Sequence, residues 1–406
     1  MNRSAAFRFQ QEASGPGRKS LRVMFLLPQR PEGMVESLVG SLMQEMDIMR
    51  FVPQLCCLTD PGAWAEQIAK RFQVTVGLSS SVCDVRVLPR LMQQMRNRVD
   101  VVVVVGTGDR MMWGLLAAKL SGVPVVLSVF DRSDEASVVN RLLAAWTDAV
   151  VVTSEFQSFC LQEKKYSSTE KVHRIPLGID PKQFVFDPRA PSAVRRQLGI
   201  PREAALCGIV APLRSEKGHR LFLEVARRIL DEIPTTHFLV VGDGPEASRL
   251  KAVAARQQLA EQVHFLGDRP DISHLLSSLN VFLWTSDQGP DSVEILAALS
   301  TQVPVVAALL GQTSSAVKTG VSGFLAAPGD VRQLADFTVE LIQDGALAHR
   351  VGAWGRQEII AHYSLERMVK GYEQLILSIY QRKQSGRPPK QQAGSPDFAE
   401  ICGMTA

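Results

Sequence analysis

The chain has 406 residues, with 45 basic against 41 acidic side chains and a formal charge of +4. That length exceeds what one hydrophobic core usually supports, so more than one domain is expected, and the near balance of charge gives no sign of a nucleic-acid partner. Six cysteines (Cys56, Cys57, Cys83, Cys160, Cys207, Cys402) lack C-x-x-C spacing and mostly sit in apolar runs, which reads as reduced core residues of a cytoplasmic protein and not as a zinc site.

Residues 1–19 are polar, carry Gly15-Pro16-Gly17 and read as a disordered N-terminal segment. Leu21-Arg-Val-Met-Phe-Leu-Leu-Pro28 is too short for a signal-peptide core and reads as the first buried strand. Short β-rich runs then alternate with helical periodicity: 23–27 then 34–49, 52–58 then 62–72, 85–88 then 91–98. The run 100–105 precedes 111–121, 123–129, 136–146 and 149–153. Valine runs without polar alternation indicate strands buried on both faces, the mark of a parallel sheet covered by helices. No apolar run approaches the roughly 20 residues of a membrane-spanning helix, so any membrane contact is peripheral. Leu88, Leu91, Met92 and Met95 share one helical face near Arg90, Arg96 and Arg98. Such a face suits either an anionic membrane surface or a packed helix with a solvated basic side.

Pro176-Leu-Gly178-Ile-Asp180-Pro181 follows a short strand at 172–175, and residues 181–205, which bear Pro and Arg without a long apolar run, read as a linker. The alternation restarts at 207–211, 220–233, 237–241 and 246–258, and continues through 263–266, 272–276, 281–284, 293–299 and 305–308. A helical pattern from 334 breaks at His362-Tyr363-Ser364, so residues 363–382 form a helix crossing back to the first domain, and 383–406, rich in Gly, Pro, Gln and Ser, form a disordered tail. The expected fold is α/β, with two Rossmann-like, doubly wound parallel-sheet domains at 20–180 and 206–362.

The second domain carries the densest chemistry. A strand is followed by Ala211-Pro-Leu-Arg214-Ser-Glu216-Lys217-Gly218, and another by Gly242-Asp-Gly244-Pro245. Further on stand Pro304-Val-Val-Ala307, Gly311-Gln-Thr313-Ser314-Ser315 and Gly320-Val-Ser-Gly323. This order brings backbone N–H groups and one cation to the carboxyl ends of parallel strands, where a nucleoside diphosphate is held.

With those residues in order, the chain resembles the retaining GT-B glycosyltransferases of the group 1 / family 4 type over about residues 21–380, most specifically over 207–330. In the first domain the likeness rests on Gly33-Met-Val-Glu36, Gly114-Leu-Leu-Ala-Ala-Lys-Leu-Ser-Gly122-Val-Pro-Val-Val126 and Asp148-Ala-Val-Val-Val-Thr-Ser154. In the second it rests on Pro176-Leu-Gly-Ile-Asp180 with Phe184, Glu216-Lys217-Gly218, Gly242-Asp-Gly-Pro245, His264-Phe-Leu-Gly267, Pro304-Val-Val-Ala307 and Gly320-Val-Ser-Gly323.

The resemblance implies a nucleotide-sugar donor bound between two domains that face across a cleft, and a saccharide or lipid-linked acceptor. It implies no cofactor and no metal, and a cytoplasmic enzyme, peripheral on the inner membrane face, of cell-surface polysaccharide or glycoconjugate synthesis. Lys217, helped by Arg214, matches the phosphate-binding cation. Gly33, Gly242, Gly244, Glu294, Gly311, Thr313, Ser314 and Ser315 are the expected donor contacts, although Gly242 and Gly244 serve equally as fold turns and Thr313 or Ser314 as an ordinary N-cap.

The motif is degenerate. The family's two glutamates, which lie near the transferred sugar and on the ribose, align with Gly289 and Ala297, and its arginine with Pro212. Ser315 stands where an acidic residue usually follows the phosphate loop, and Val103, Val105 and Phe130 stand where first-domain histidines are common. Two readings lead: a retaining, metal-independent glycosyltransferase, or a GT-B-shaped binding or scaffold protein that partners an active transferase; a sugar-nucleotide epimerase on the same fold would want acidic and histidine groups for proton transfer, of which the sequence supplies few. A dinucleotide oxidoreductase is disfavoured because neither domain opens on a complete G-x-G-x-x-G.

Overall fold

The computed structural model describes residues 20–28, 33–79, 84–106, 111–130, 144–163, 169–286, 293–310 and 313–385. The chain divides into two compact units, with boundaries between Ile175 and Pro176 and between Arg367 and Met368.

The first unit is built on a seven-stranded sheet of β1 (Leu21–Leu27), β2 (Phe51–Cys57), β3 (Gln73–Thr75), β4 (Val101–Val105), β5 (Val125–Val129), β6 (Ala149–Val152) and β7 (Val172–Arg174). Every pairing is parallel and the order is β3-β2-β1-β4-β5-β6-β7. All residues of β4, β5 and β6 are buried, which is why their sequences carry no polar alternation.

Two expectations for this unit are corrected. The run 85–88, read as β-rich, leads into the helix Val87–Met95, because the Asp84 carboxylate accepts the Arg86 N–H and opens a helical turn. The third strand is instead Gln73–Thr75, a three-residue edge strand with no fully buried side chain. The apolar face expected to suit either a membrane or a core is in the core: Leu91 and Met95 are buried, and Leu88 and Met92 pack against the same cluster. Arg90 bonds the Leu78 carbonyl on the solvated side.

The second unit holds β8 (Leu206–Val210), β9 (His237–Val241), β10 (Val263–Gly267), β11 (Val281–Trp284), β12 (Val305–Ala308) and β13 (Gly323–Ala326), again all parallel, in the order β10-β9-β8-β11-β12-β13. The helix His219–Glu232 buries Phe222, Val225, Ala226 and Ile229 at helical spacing against this sheet, Phe222 meeting Phe238 edge-on at 6.0 Å. Its outer face carries the pairs Arg220–Glu224 and Arg227–Asp231.

Residues 181–205, read as a linker, contain the helix Ala190–Leu198, opened by Pro191 and closed by Gly199 in a left-handed conformation. Its Arg195 is buried and bonds the Ala204 and Ser278 carbonyls and the Asn280 side chain, so this segment is part of the second unit. The long C-terminal pattern breaks twice. Asp344 caps the helix Gly345–His362 by accepting the Leu347 N–H, and a last helix, Leu365–Ser385, extends past the expected end at 382. That last helix ties into the first unit: Glu373 accepts the Asp47 N–H at 2.7 Å, and Lys383 reaches Asp148 at 2.6 Å and the Pro124 carbonyl at 2.7 Å. Residues 1–19 and 386–406 lie outside the described residues. Among the described residues no helix is long and apolar enough to cross a membrane. Burial pushes the Cys56, Cys57 and Cys207 thiols up to about 12, which keeps them protonated.

Candidate functional site

The strand order of the second unit reverses between β8 and β11. In a doubly wound sheet such a reversal marks the carboxyl-end position where loops part and ligands bind. The chain leaves β8 through Ala211-Pro212-Leu213-Arg214, makes a 3₁₀ turn at Ser215–Lys217, and enters the helix His219–Glu232 through Gly218 at φ +73°. Lys217 is half-buried in this turn and Arg214 is exposed at its start.

The turn is stitched to its neighbours on both sides. Toward β11, the Thr285 hydroxyl donates to the Gly218 carbonyl and the Ser286 hydroxyl to the Glu216 carbonyl, each at 2.8 Å. A Cβ on Gly218 would stand 2.1 Å from the Thr285 carbonyl oxygen. Toward β9, the Leu213 N–H donates to the Asp243 carbonyl at 2.9 Å and the Glu246 N–H to the Leu213 carbonyl at 3.0 Å. Gly242 and Gly244 permit this approach, since a Cβ there would stand 2.2 Å from the Ala211 carbonyl oxygen and 2.5 Å from that of Leu213. The loops after β8, β9 and β11 thus form one packed surface, which fixes the backbone bearing Lys217.

Charge in the turn is arranged around that ammonium. The Glu216 carboxyl is held below the usual range, first by its own backbone N–H, then by the Ser215 hydroxyl and by the Arg214 and Lys217 charges. It therefore stays ionised at neutral pH beside the Lys217 side chain.

The other expected donor contacts lie on other elements. Gly33, at φ +52°, precedes the helix Met34–Glu45 in the first unit. Glu294 lies half-buried in the first turn of the helix Val293–Ser300, and Ala297, on the same helix, is 2 % exposed. Gly289 and Gly311 lie outside the described residues, as does the side chain of Ser314.

Thr313 is engaged within its own loop. Its hydroxyl accepts the Leu310 N–H at 2.9 Å and lies 2.8 Å from the carbonyls of Ala308 and Leu310, so it closes its own loop. The helix it opens, Thr313–Ala316, has four residues, too few for a strong dipole. The carbonyl of Ser315 accepts the Tyr363 hydroxyl.

Sequence reasoning missed Thr285 and Ser286, whose only local signal is a pair of hydroxyl residues directly after a buried strand. Their partners lie about 70 positions earlier. Thr285→Val, which keeps the shape and removes the donor, should lower stability by about 1 kcal/mol. An unchanged thermal midpoint would show that the Gly218 carbonyl does not depend on this hydroxyl.

Comparison with known proteins is consistent across both units. Residues 204–344 match the family described as glycosyl transferases group 1, and residues 35–183 match glycosyltransferase family 4. The chain is 22% identical over 203 residues to N-acetyl-alpha-D-glucosaminyl L-malate synthase of Bacillus anthracis, covering 50% of this chain and 53% of that protein. It is 27% identical over 251 residues to UDP-Gal:alpha-D-GlcNAc-diphosphoundecaprenol alpha-1,3-galactosyltransferase of Escherichia coli, covering 58% of this chain and 64% of that one. The chain thus spans between about half and two thirds of the length of these curated relatives. Among solved structures, HepE of Anabaena in complex with UDP superposes with a TM-score of 0.79 at 20% identity, over 88% of this chain and 100% of HepE. At that identity the superposition establishes the fold.

Proposed function

The chain belongs to the group 1 / family 4 glycosyltransferases and has the GT-B fold, and from that premise we propose that it transfers a sugar from a nucleoside diphosphate donor to a saccharide or lipid-linked acceptor with retention. The observation that carries the proposal is the half-buried Lys217 on a turn stitched between the ends of β8 and β11. The difficult event in such a transfer is departure of the diphosphate, and a preorganised ammonium stabilises the charge as it develops.

In this reading Lys217, with Arg214 at the mouth of the turn, holds the diphosphate oxygens as point and fork charges. The anomeric carbon loses its bond to the diphosphate and gains one to the acceptor oxygen on the same face, and the acceptor proton passes to the departing phosphate oxygen. No carboxylate at position 297 takes part, since that position is a buried alanine. A lipid-linked acceptor fits the name of one curated relative, a galactosyltransferase acting on alpha-D-GlcNAc-diphosphoundecaprenol, and UDP is the first nucleotide to test because HepE was crystallised with it.

The buried alanine also supports a second reading, a GT-B-fold protein that binds a donor nucleotide and partners an active transferase. Calorimetry against UDP, GDP and ADP, followed by release assays with the matching sugar nucleotides, separates the two. Binding with turnover supports the enzyme, binding without turnover supports the scaffold, and no binding by any nucleotide removes the donor site from both.

One expectation concerns the ribose. A carboxylate hydrogen-bonded to ribose hydroxyls contributes about 1.5–3 kcal/mol, roughly 10- to 100-fold in affinity. With Ala297 in that place, UDP and 2′-deoxy-UDP should bind within about threefold of each other. A preference above about tenfold for UDP would mean that another side chain, Glu294 first among them, holds the hydroxyls.

A further inference from the structure

Directly behind the Lys217 turn lies a titratable group with no assigned work. His219 is the first residue of the 14-residue helix that the turn feeds, and it is 2 % exposed. Neither ring nitrogen has a well-formed hydrogen bond, although the backbone of Ala211 and Arg214 is near enough to pull the ring toward its protonated form. Their two carbonyls belong to the loop that carries Arg214 and leads into Lys217.

The arrangement is frustrated. A neutral imidazole offers one donor and one lone pair, so it can serve only one of two facing carbonyls while its lone pair opposes the other. An imidazolium would donate to both. Three effects keep the ring neutral in the unliganded protein. Burial is the largest; it holds the imidazole down at about 4 against the pull of the Ala211 and Arg214 carbonyls, with the Lys217 ammonium adding to the effect. The amino end of the helix disfavours a cation at its first residue as well.

The charged side chains nearby in sequence are Arg214, Glu216 and Lys217 in the turn and Arg220 on the ring's own helix, and of these Lys217 bears on the ring. The loop packed from β9 contributes the Asp243 carbonyl to Leu213, and the one from β11 contributes the Thr285 and Ser286 hydroxyls to Gly218 and Glu216.

We propose that His219 is a positioning residue for the Lys217 turn, and that a diphosphate bound at that turn draws a proton onto its ring so that it grips both carbonyls. The proposal rests on Lys217 holding the donor's diphosphate. A dianion paired with the ammonium cancels the positive field in front of the ring and favours the imidazolium. By linkage, a group whose proton affinity rises on binding makes binding tighter as pH falls, and the gain levels off only below the pKa of the unliganded state.

The test is titration calorimetry of the full chain with UDP and with inorganic pyrophosphate, at pH 7.5 and pH 5.5, in two buffers of different ionisation enthalpy. The wild type should take up more protons at pH 5.5 than protonation of the free ligand accounts for. His219→Gln, which keeps one amide donor and cannot titrate, should lose the extra uptake. The affinity ratio of wild type to His219→Gln should widen about three- to tenfold between pH 7.5 and pH 5.5, which corresponds to a ligand-induced rise of about two units. Equal uptake in both proteins, or a ratio constant with pH, overturns the proposal while leaving the donor site standing. If His219→Gln does not fold, the wild-type proton count alone decides, because zero excess uptake refutes the coupling. Failure of the wild type to bind either ligand removes the donor site, and this inference falls with it.

Discussion

Lys217→Ala should weaken nucleoside diphosphate binding about 10- to 100-fold while shifting the thermal midpoint by no more than about 2 °C. The affinity figure follows from a charge-assisted hydrogen bond to phosphate, worth about 1.5–3 kcal/mol, at about 1.4 kcal/mol per factor of ten. The small stability change follows because the turn is held by backbone and hydroxyl contacts at Glu216 and Gly218, which do not involve the lysine side chain. Lys217→Arg keeps the charge but replaces a point donor with a planar fork in a half-buried place, so it should recover only part of the loss. Arg214→Ala is the informative contrast. Because Arg214 is exposed, its contribution is screened, and its loss should cost about two- to threefold and shrink further at high salt. Calorimetry with UDP at two ionic strengths checks all three. If Lys217→Ala bound UDP as the wild type does, the phosphate would be held elsewhere.

Much of the fold was legible because its sheets are parallel and buried. Val101–Val105 and Val281–Trp284 are continuous apolar runs whose only stable place is between two layers of helices. Where burial falls off, legibility falls with it. Gln73–Thr75 pairs along a single side with β2 and needs no apolar run, while Val85 and Val87 have β-branched side chains but follow an aspartate that opens a helix. The segment 181–205 lacked the signal of a core element because its helix is held by a buried arginine bonding carbonyls, a contact that hydrophobic periodicity does not record.

The candidate site divides along the same line. Lys217, Gly218, Gly242 and Gly244 were readable as a local pattern, since a glycine that must adopt a positive φ or admit a neighbouring carbonyl leaves its mark at one position. Thr285 and Ser286 were not readable, because their role exists only once β11 lies beside β8. Thr313 was readable as a hydroxyl at a helix start but not as one already committed to Ala308 and Leu310. A sequence shows which residues are able to bind phosphate, and packing then determines which of them are still available.

Gly218→Ala should be among the most damaging single-methyl changes in the second unit, lowering stability by about 3–5 kcal/mol and abolishing measurable nucleotide binding. Part of the penalty is local: φ +73° lies in the left-handed region, where a Cβ costs about 1–2 kcal/mol. The larger part is a collision. The added carbon would stand 2.1 Å from the Thr285 carbonyl oxygen, 2.4 Å from its carbon and 2.7 Å from the Ser286 nitrogen. These are backbone atoms at the end of a buried strand, so no side-chain rotation relieves the overlap. The turn would have to retreat by about 1 Å, which breaks the two 2.8 Å hydroxyl bonds and misplaces Lys217. Gly242→Ala, with a Cβ 2.2 Å from the Ala211 carbonyl oxygen, should behave similarly. Gly267→Ala supplies the control, because its φ of +65° carries the same local strain with nothing within 4 Å of the new carbon. It should cost only about 1 kcal/mol and leave UDP affinity unchanged. Thermal melts and calorimetry on the three variants separate conformational strain from collision. Should Gly218→Ala prove as mild as Gly267→Ala, the turn is not pressed against β11, and the rigid placement of the ammonium that the proposed chemistry requires is lost.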